Sequence, residues 1–87
     1  MALIWIPPVM RSLTDGKDSI RVQGATVGEA LANLDALYPG VRDRLCEGDD
    51  LKPFVVAVVD GEASGMGLRQ SIEENSEVTF LPVMEGG

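Results

Sequence analysis

The sequence predicts an α+β fold, a mixed sheet of four to five strands packed on one main helix. Two observations predict it. One segment, residues 27–38, carries apolar side chains at helical spacing. On both sides of it lie short runs rich in β-branched and aromatic residues, separated by turn dipeptides. An amphipathic helix must bury its stripe against something, and the strands are the available partner. The 87 residues suffice for one domain.

Taken in chain order, residues 2–6 are apolar and large, which suits a strand. Pro7-Pro8 ends its pairing on one edge or marks a bulge, and residues 9–13 are read as a continuation. Asp15-Gly16 is the centre of a tight turn. Residues 19–23 alternate polar and apolar, so they form a half-buried strand returning antiparallel. Thr26 opens the helix. Thr26-Val27-Gly28-Glu29 has the pattern of a capping box, in which the threonine oxygen accepts from a helical amide and Glu29 reaches back. Val27, Ala30, Leu31, Leu34, Leu37 and Tyr38 then share one helical face.

Pro39-Gly40 stops or kinks the helix. Residues 41–46 add a short second turn with Val41 and Leu45 inward. Residues 47–52 read as a polar loop, and the stretch 47–53 is a candidate for partner choice. Residues 54–59 are a continuous β-branched run, expected to be a central strand covered on both faces. Asp60-Gly61 is a turn, residues 63–67 a loop, and Leu68 and Ile72 are core anchors. Residues 77–81 form the last strand, and Pro82 ends it. Hairpin, helix, strand, loop, strand describes a β-grasp, with the first and last strands parallel neighbours at the centre.

Composition excludes several functions. Fourteen acidic against seven basic residues give a net charge of −7. That surface attracts neither nucleic acid nor an anionic membrane and fits a partner with a basic face. The absence of histidine removes Ser-His and Cys-His nucleophile systems and every His-containing zinc site. Metal ligation has no supporting spacing elsewhere, and the acidic pairs Asp49-Asp50 and Glu73-Glu74 are read as solvated surface. A single cysteine, Cys46, forms no internal disulfide. It sits at a helix end with no neighbouring cation to activate it and is expected to be a bystander. The first ten residues lack a basic n-region and contain two prolines, so no signal peptide is expected. No stretch has membrane-spanning length. A cytoplasmic location is the expectation.

Strand alternation nominates a surface. With Val78 and Phe80 facing the helix, Thr79 and Leu81 face outward. Trp5 has two equal readings: it joins them if Ile4 and Ile6 point inward, or it is core. Val83 and Met84 are apolar beyond the last strand, which favours docking on a partner over folding back. Trp5, Thr79, Leu81, Val83, Met84 and Glu85 are the candidate partner-binding residues.

The β-grasp order and the ending Phe80-Leu81-Pro82-Val83-Met84-Glu85-Gly86-Gly87 resemble the ubiquitin-like sulfur carriers of the MoaD/ThiS group. Ile6-Pro7, Leu13-Thr14-Asp15-Gly16, Gly24-Ala25-Thr26-Val27-Gly28, Tyr38-Pro39-Gly40 and Leu81-Pro82 are most similar to its CysO-like subgroup. Glu85 stands where related carriers commonly have alanine. The resemblance implies a β-grasp domain over residues 1–82 and a flexible tail over 83–87. It implies that the chain is a carrier and not an enzyme, monomeric when free. Its reactive group would be the Gly87 carboxylate, with Gly86 thinning the approach. A ubiquitin-activating-type enzyme using ATP would adenylate that carboxylate, sulfur would displace AMP, and a sulfur-accepting enzyme would take it from the thiocarboxylate. The chain itself would bind no permanent cofactor. Cysteine, molybdopterin and thiamine synthesis are the candidate destinations. Two alternatives share these features: a small subunit of a molybdopterin-synthase-like complex, and a ubiquitin-like protein modifier.

Overall fold

Alternating burial marks the first strand. In β1 (Ala2–Trp5), Ala2 and Ile4 are buried and Trp5 is exposed, because strand side chains point to alternate faces. The computed structural model describes residues 1–82. It pairs β1 antiparallel with β2 (Ser19–Val22), with Ile4 opposite Ile20. Between them the expected continuation of the strand is instead a 3-10 helix, Pro8–Thr14. The first turn of a helix has no use for its amide donors, so Pro7 and Pro8 begin one at no cost, whereas a strand would lose ladder bonds. The helix buries Met10 and Thr14, and the Thr14 hydroxyl donates to the Lys17 carbonyl at 2.8 Å. Asp15 and Gly16 make the expected turn, both with positive φ.

The main helix, α1 (Val27–Leu37), begins as its sequence requires. Thr26 Oγ1 accepts from the Glu29 amide at 3.1 Å. Glu29 reaches back to the Ala25 amide at 3.3 Å, one residue earlier than a strict capping box. Val27, Ala30, Leu31 and Leu34 are fully buried. Leu37 is not part of that face and stands 61% exposed. It lies at the border of the stripe, as the last residue of the helix. Tyr38 is half-buried against the core. Gly40, at φ 104°, turns the chain into α2 (Val41–Leu45). The Asp35 carboxylate holds that turn by accepting from the Gly40 and Arg42 amides, both at 3.1 Å.

Val41 and Leu45 are buried as expected. The segment expected as a plain polar loop is a small hairpin, β3 (Cys46–Glu47) with β4 (Asp50–Leu51). It is followed by β5 (Val55–Val59) and β6 (Glu62–Ala63), joined by Asp60 and Gly61. Both turn residues have positive φ, the geometry in which a two-residue hairpin matches strand twist. Ile72 is buried and Leu68 packs on the core, both as anchors.

The last strand, β7 (Glu77–Pro82), takes the centre of a five-stranded sheet ordered β2-β1-β7-β5-β6. It runs parallel to β1 and antiparallel to β5. The expectation that residues 54–59 form the central, doubly covered strand is therefore corrected. β5 lies one place off centre, only Ala57 in it is buried, and Phe54 is 55% exposed. A continuous β-branched run normally signals burial on both faces. Here the helix covers one face only, and Val56 and Val58 are half-shielded by their cross-strand neighbours Leu81 and Thr79. On the covered face Ile4, Val78 and Phe80 join Val27, Leu31 and Leu34 in one core. Each such side chain contributes about 1.5–3 kcal/mol on burial.

Gly24 marks the closest approach of chain to helix. A Cβ there would stand 2.6 Å from the Ala30 amide nitrogen and 2.9 Å from its Cα. Gly24→Ala is expected to cost about 1–3 kcal/mol in urea unfolding. Gly65→Ala, where a Cβ meets nothing within 4 Å, should stay within about 0.5 kcal/mol of the parent.

Candidate functional site

The open face of the sheet is built by register. Thr79 lies beside Trp5 in the parallel pair and opposite Val58 in the antiparallel one, and Leu81 lies opposite Val56. Residues paired this way share a face. Trp5 is 37% exposed and donates its indole Nε1 to Glu77 Oε1 at 2.8 Å. Ile4 and Ile6 point inward, so Trp5 belongs to the outer surface and not to the core. Thr79 is half-buried there and Leu81 is 48% exposed. The structure thus brings together Trp5, Thr79 and Leu81. Val83, Met84, Glu85, Gly86 and Gly87, the remaining candidates, lie outside the described residues.

Two apolar grooves flank the end of β7. One, of about 380 Å³, runs between Trp5, Pro7 and Arg11 on one bank and Thr79, Leu81 and Pro82 on the other. The second, of about 310 Å³, lies on the far side of Pro82, walled by Pro8, Val9, Arg44 and Phe54. Pro82, the last described residue, lines both. Sequence reasoning misses Val9, Phe54 and the two arginines. Hydropathy places Val9 in a strand and Phe54 in a covered one. A Pro-Pro pair as a helix start is the signal that frees Val9.

Cys46 follows Leu45, which lines the second groove, but itself lines neither. It is buried. Burial pushes its thiol up, and the nearby Arg42 guanidinium, a cation the sequence reading does not place there, pulls it down by less. A neutral, enclosed thiol is a poor nucleophile. Among the described residues no group of three or more cysteine, aspartate or glutamate side chains could hold a metal ion, and no helix is long and apolar enough to cross a membrane.

The profile of the ThiS family matches residues 6–87. The chain belongs to that family. The match begins just after β1 and runs through the helix and the remaining strands to the Gly86-Gly87 terminus. Among curated relatives, the sulfur carrier protein CysO of Mycobacterium tuberculosis is 35% identical over 90 aligned positions, covering 97% of this chain and 96% of the relative. Small archaeal modifier protein 3 of Haloferax volcanii is 34% identical over 65 positions, covering 72% of this chain and 71% of that one. Among solved structures, a chain from the Amycolatopsis orientalis BexX/CysO complex superposes with a TM-score of 0.89 at 30% identity, covering all of both chains. The β-grasp fold, expected from element order, is thereby established.

The setting of Cys46 carries a pH dependence. Its folded thiol holds a proton more tightly than the unfolded one. Above the ordinary thiol range the unfolded state therefore binds fewer protons, and stability falls as pH rises. The urea midpoint should decline between about pH 8.5 and higher values, and Cys46→Ala should remove that part of the decline. In the native protein, reaction of Cys46 with a thiol reagent near neutrality should be slow and should accelerate on unfolding.

Proposed function

We propose that this chain is a sulfur carrier whose working group is the α-carboxylate of Gly87. The observation that carries the reading is end-to-end likeness to a sulfur carrier protein, within a family match that runs through Gly87. A terminal carboxyl ordinarily titrates at about pH 3.3–3.7, so it is ionised at neutral pH and is a poor acyl donor. Activation needs a partner that uses ATP. The carboxylate oxygen attacks the α-phosphorus, pyrophosphate leaves, and an acyl-adenylate forms. Sulfide then attacks the acyl carbon and displaces AMP, leaving the thiocarboxylate. A second enzyme accepts that sulfur, and the CysO likeness favours cysteine over molybdopterin or thiazole as its destination.

The division of labour follows from the residues. The chain has no histidine to serve as a base, so the chemistry belongs to its partners and this chain is their substrate. Gly86 and Gly87 carry no Cβ, which lets the backbone enter a narrow channel and leaves the carbonyl open to attack. The body's part is to be recognised: Trp5, Thr79 and Leu81 present an apolar outer face beside Pro82.

A second reading has one observation in its favour, the likeness to small archaeal modifier protein 3. In it the same activated Gly87 carbonyl is joined to a lysine of another protein. Activation is common to both, so they part only at the acceptor, and isopeptide adducts on other proteins would identify the modifier.

Adenylation by the host's activating enzyme, followed by pyrophosphate exchange, tests the common step. Gly87→Ala should slow exchange by about 10²-fold, the effect of misplacing a reacting atom by an ångström. Deleting Gly86 and Gly87 should abolish it while leaving the circular dichroism spectrum unchanged. A deletion chain that is still adenylated would refute the reading.

A further inference from the structure

Charge is divided between the two ends of β7. Beside its start, the concavity under the β5–β6 turn is lined by Asp60, Glu62 and Glu73. Beside its end, the two grooves contain Arg11 on one side and Arg44 on the other, and no acidic residue is among their described lining. This occurs in a chain with twice as many acidic as basic residues. The same grooves collect Trp5, Val9, Phe54 and Leu81, four of the exposed large apolar side chains of the described residues. Such clustering marks a contact surface.

Both guanidinium groups are available to a visitor. Arg11 Nε donates to the Ile6 carbonyl at 3.3 Å, a backbone contact that aims the side chain without neutralising it. Arg44 lies exposed on α2. Among the described residues the ion pair present joins the Met1 amine to Glu74, and neither arginine takes part in one.

We propose that the two grooves that Pro82 lines seat an apolar surface of the adenylating partner whose rim carries carboxylates, one received by Arg11 and another by Arg44. The proposal rests on the sulfur-carrier reading and deepens it by naming the partner's chemistry. A net charge of −7 alone points to a basic partner, but recognition is decided where the surfaces meet. There the described lining carries arginine and no carboxylate, set in apolar ground. Arginine suits this role because its planar fork meets a carboxylate with two parallel hydrogen bonds.

The test is the Kd of the full chain for the adenylating enzyme of its host, measured calorimetrically at low and high salt. Arg44→Glu is expected to weaken binding about 10-fold, the effect of about 1.4 kcal/mol. Arg11→Glu with Arg44→Glu should weaken it further. Both losses should shrink near 1 M salt, where the Debye length falls to about 3 Å. Arg69→Glu, exposed and lining neither groove, should bind like the parent. Arg44→Glu leaves the Arg11–Ile6 contact intact, so it reports on charge without disturbing that fold contact. Unchanged or tighter binding by Arg44→Glu and by the double variant would overturn the proposal. So would disappearance of their losses in a Glu85→Gln background, since the arginines would then serve the chain's own tail. If the parent is adenylated and the arginine variants are indifferent, this proposal alone falls. If the parent is neither bound nor adenylated, the functional reading falls with it.

Discussion

The parallel pairing of β1 with β7 is the constraint on which the rest depends. It joins one end of the chain to the other at the centre of the sheet and sets Ile4 beside Val78 under the helix. Because side chains alternate, the same register sets Trp5 beside Thr79 on the opposite face. A slip by one residue would bury the tryptophan and expose the isoleucine. The pairing also carries Pro82 next to Pro7 and Pro8, the residues that wall the two grooves. Core, outer face and grooves are three consequences of one strand register.

The asymmetry of the layers supplies the rest. One main helix covers one face of a five-stranded sheet, and the second face is left to its own cross-strand contacts. Its exposed apolar residues Trp5 and Leu81 are available to a partner. The acidic surplus is spread over the remaining surface, while the end of β7 keeps two arginines. On the proposed function, such a body presents one carbonyl to its partners and is recognised while doing so.

Local signals are legible in the sequence wherever a few adjacent residues decide the outcome. Thr26 and Glu29 mark the start of α1, Asp60-Gly61 marks the β5–β6 turn, and alternation places Val78 and Phe80 inward. What is not legible depends on partners far away in the chain. The run at 54–59 resembles a doubly buried strand, and only the sheet order shows that one of its faces is open. Trp5 fits either face until its neighbours Thr79 and Glu77 are known. Pro7-Pro8 announces a break but not that a 3-10 helix follows and delivers Val9 to the surface. The meeting of Arg11 with Leu81, and of Arg44 with Phe54, joins segments with no sequence signal in common. Gly86-Gly87 is the converse case, a motif whose meaning comes from its place after the last strand.

The most direct measurement of the central claim is intact-mass and fragmentation analysis of the chain purified from its native host. The account predicts a population ending at Gly87 in which one oxygen of that residue's carboxylate is replaced by sulfur. Sulfur found instead on Cys46, or a mature chain that never carries it at Gly87 even when its activating enzyme and ATP are supplied, would contradict the account.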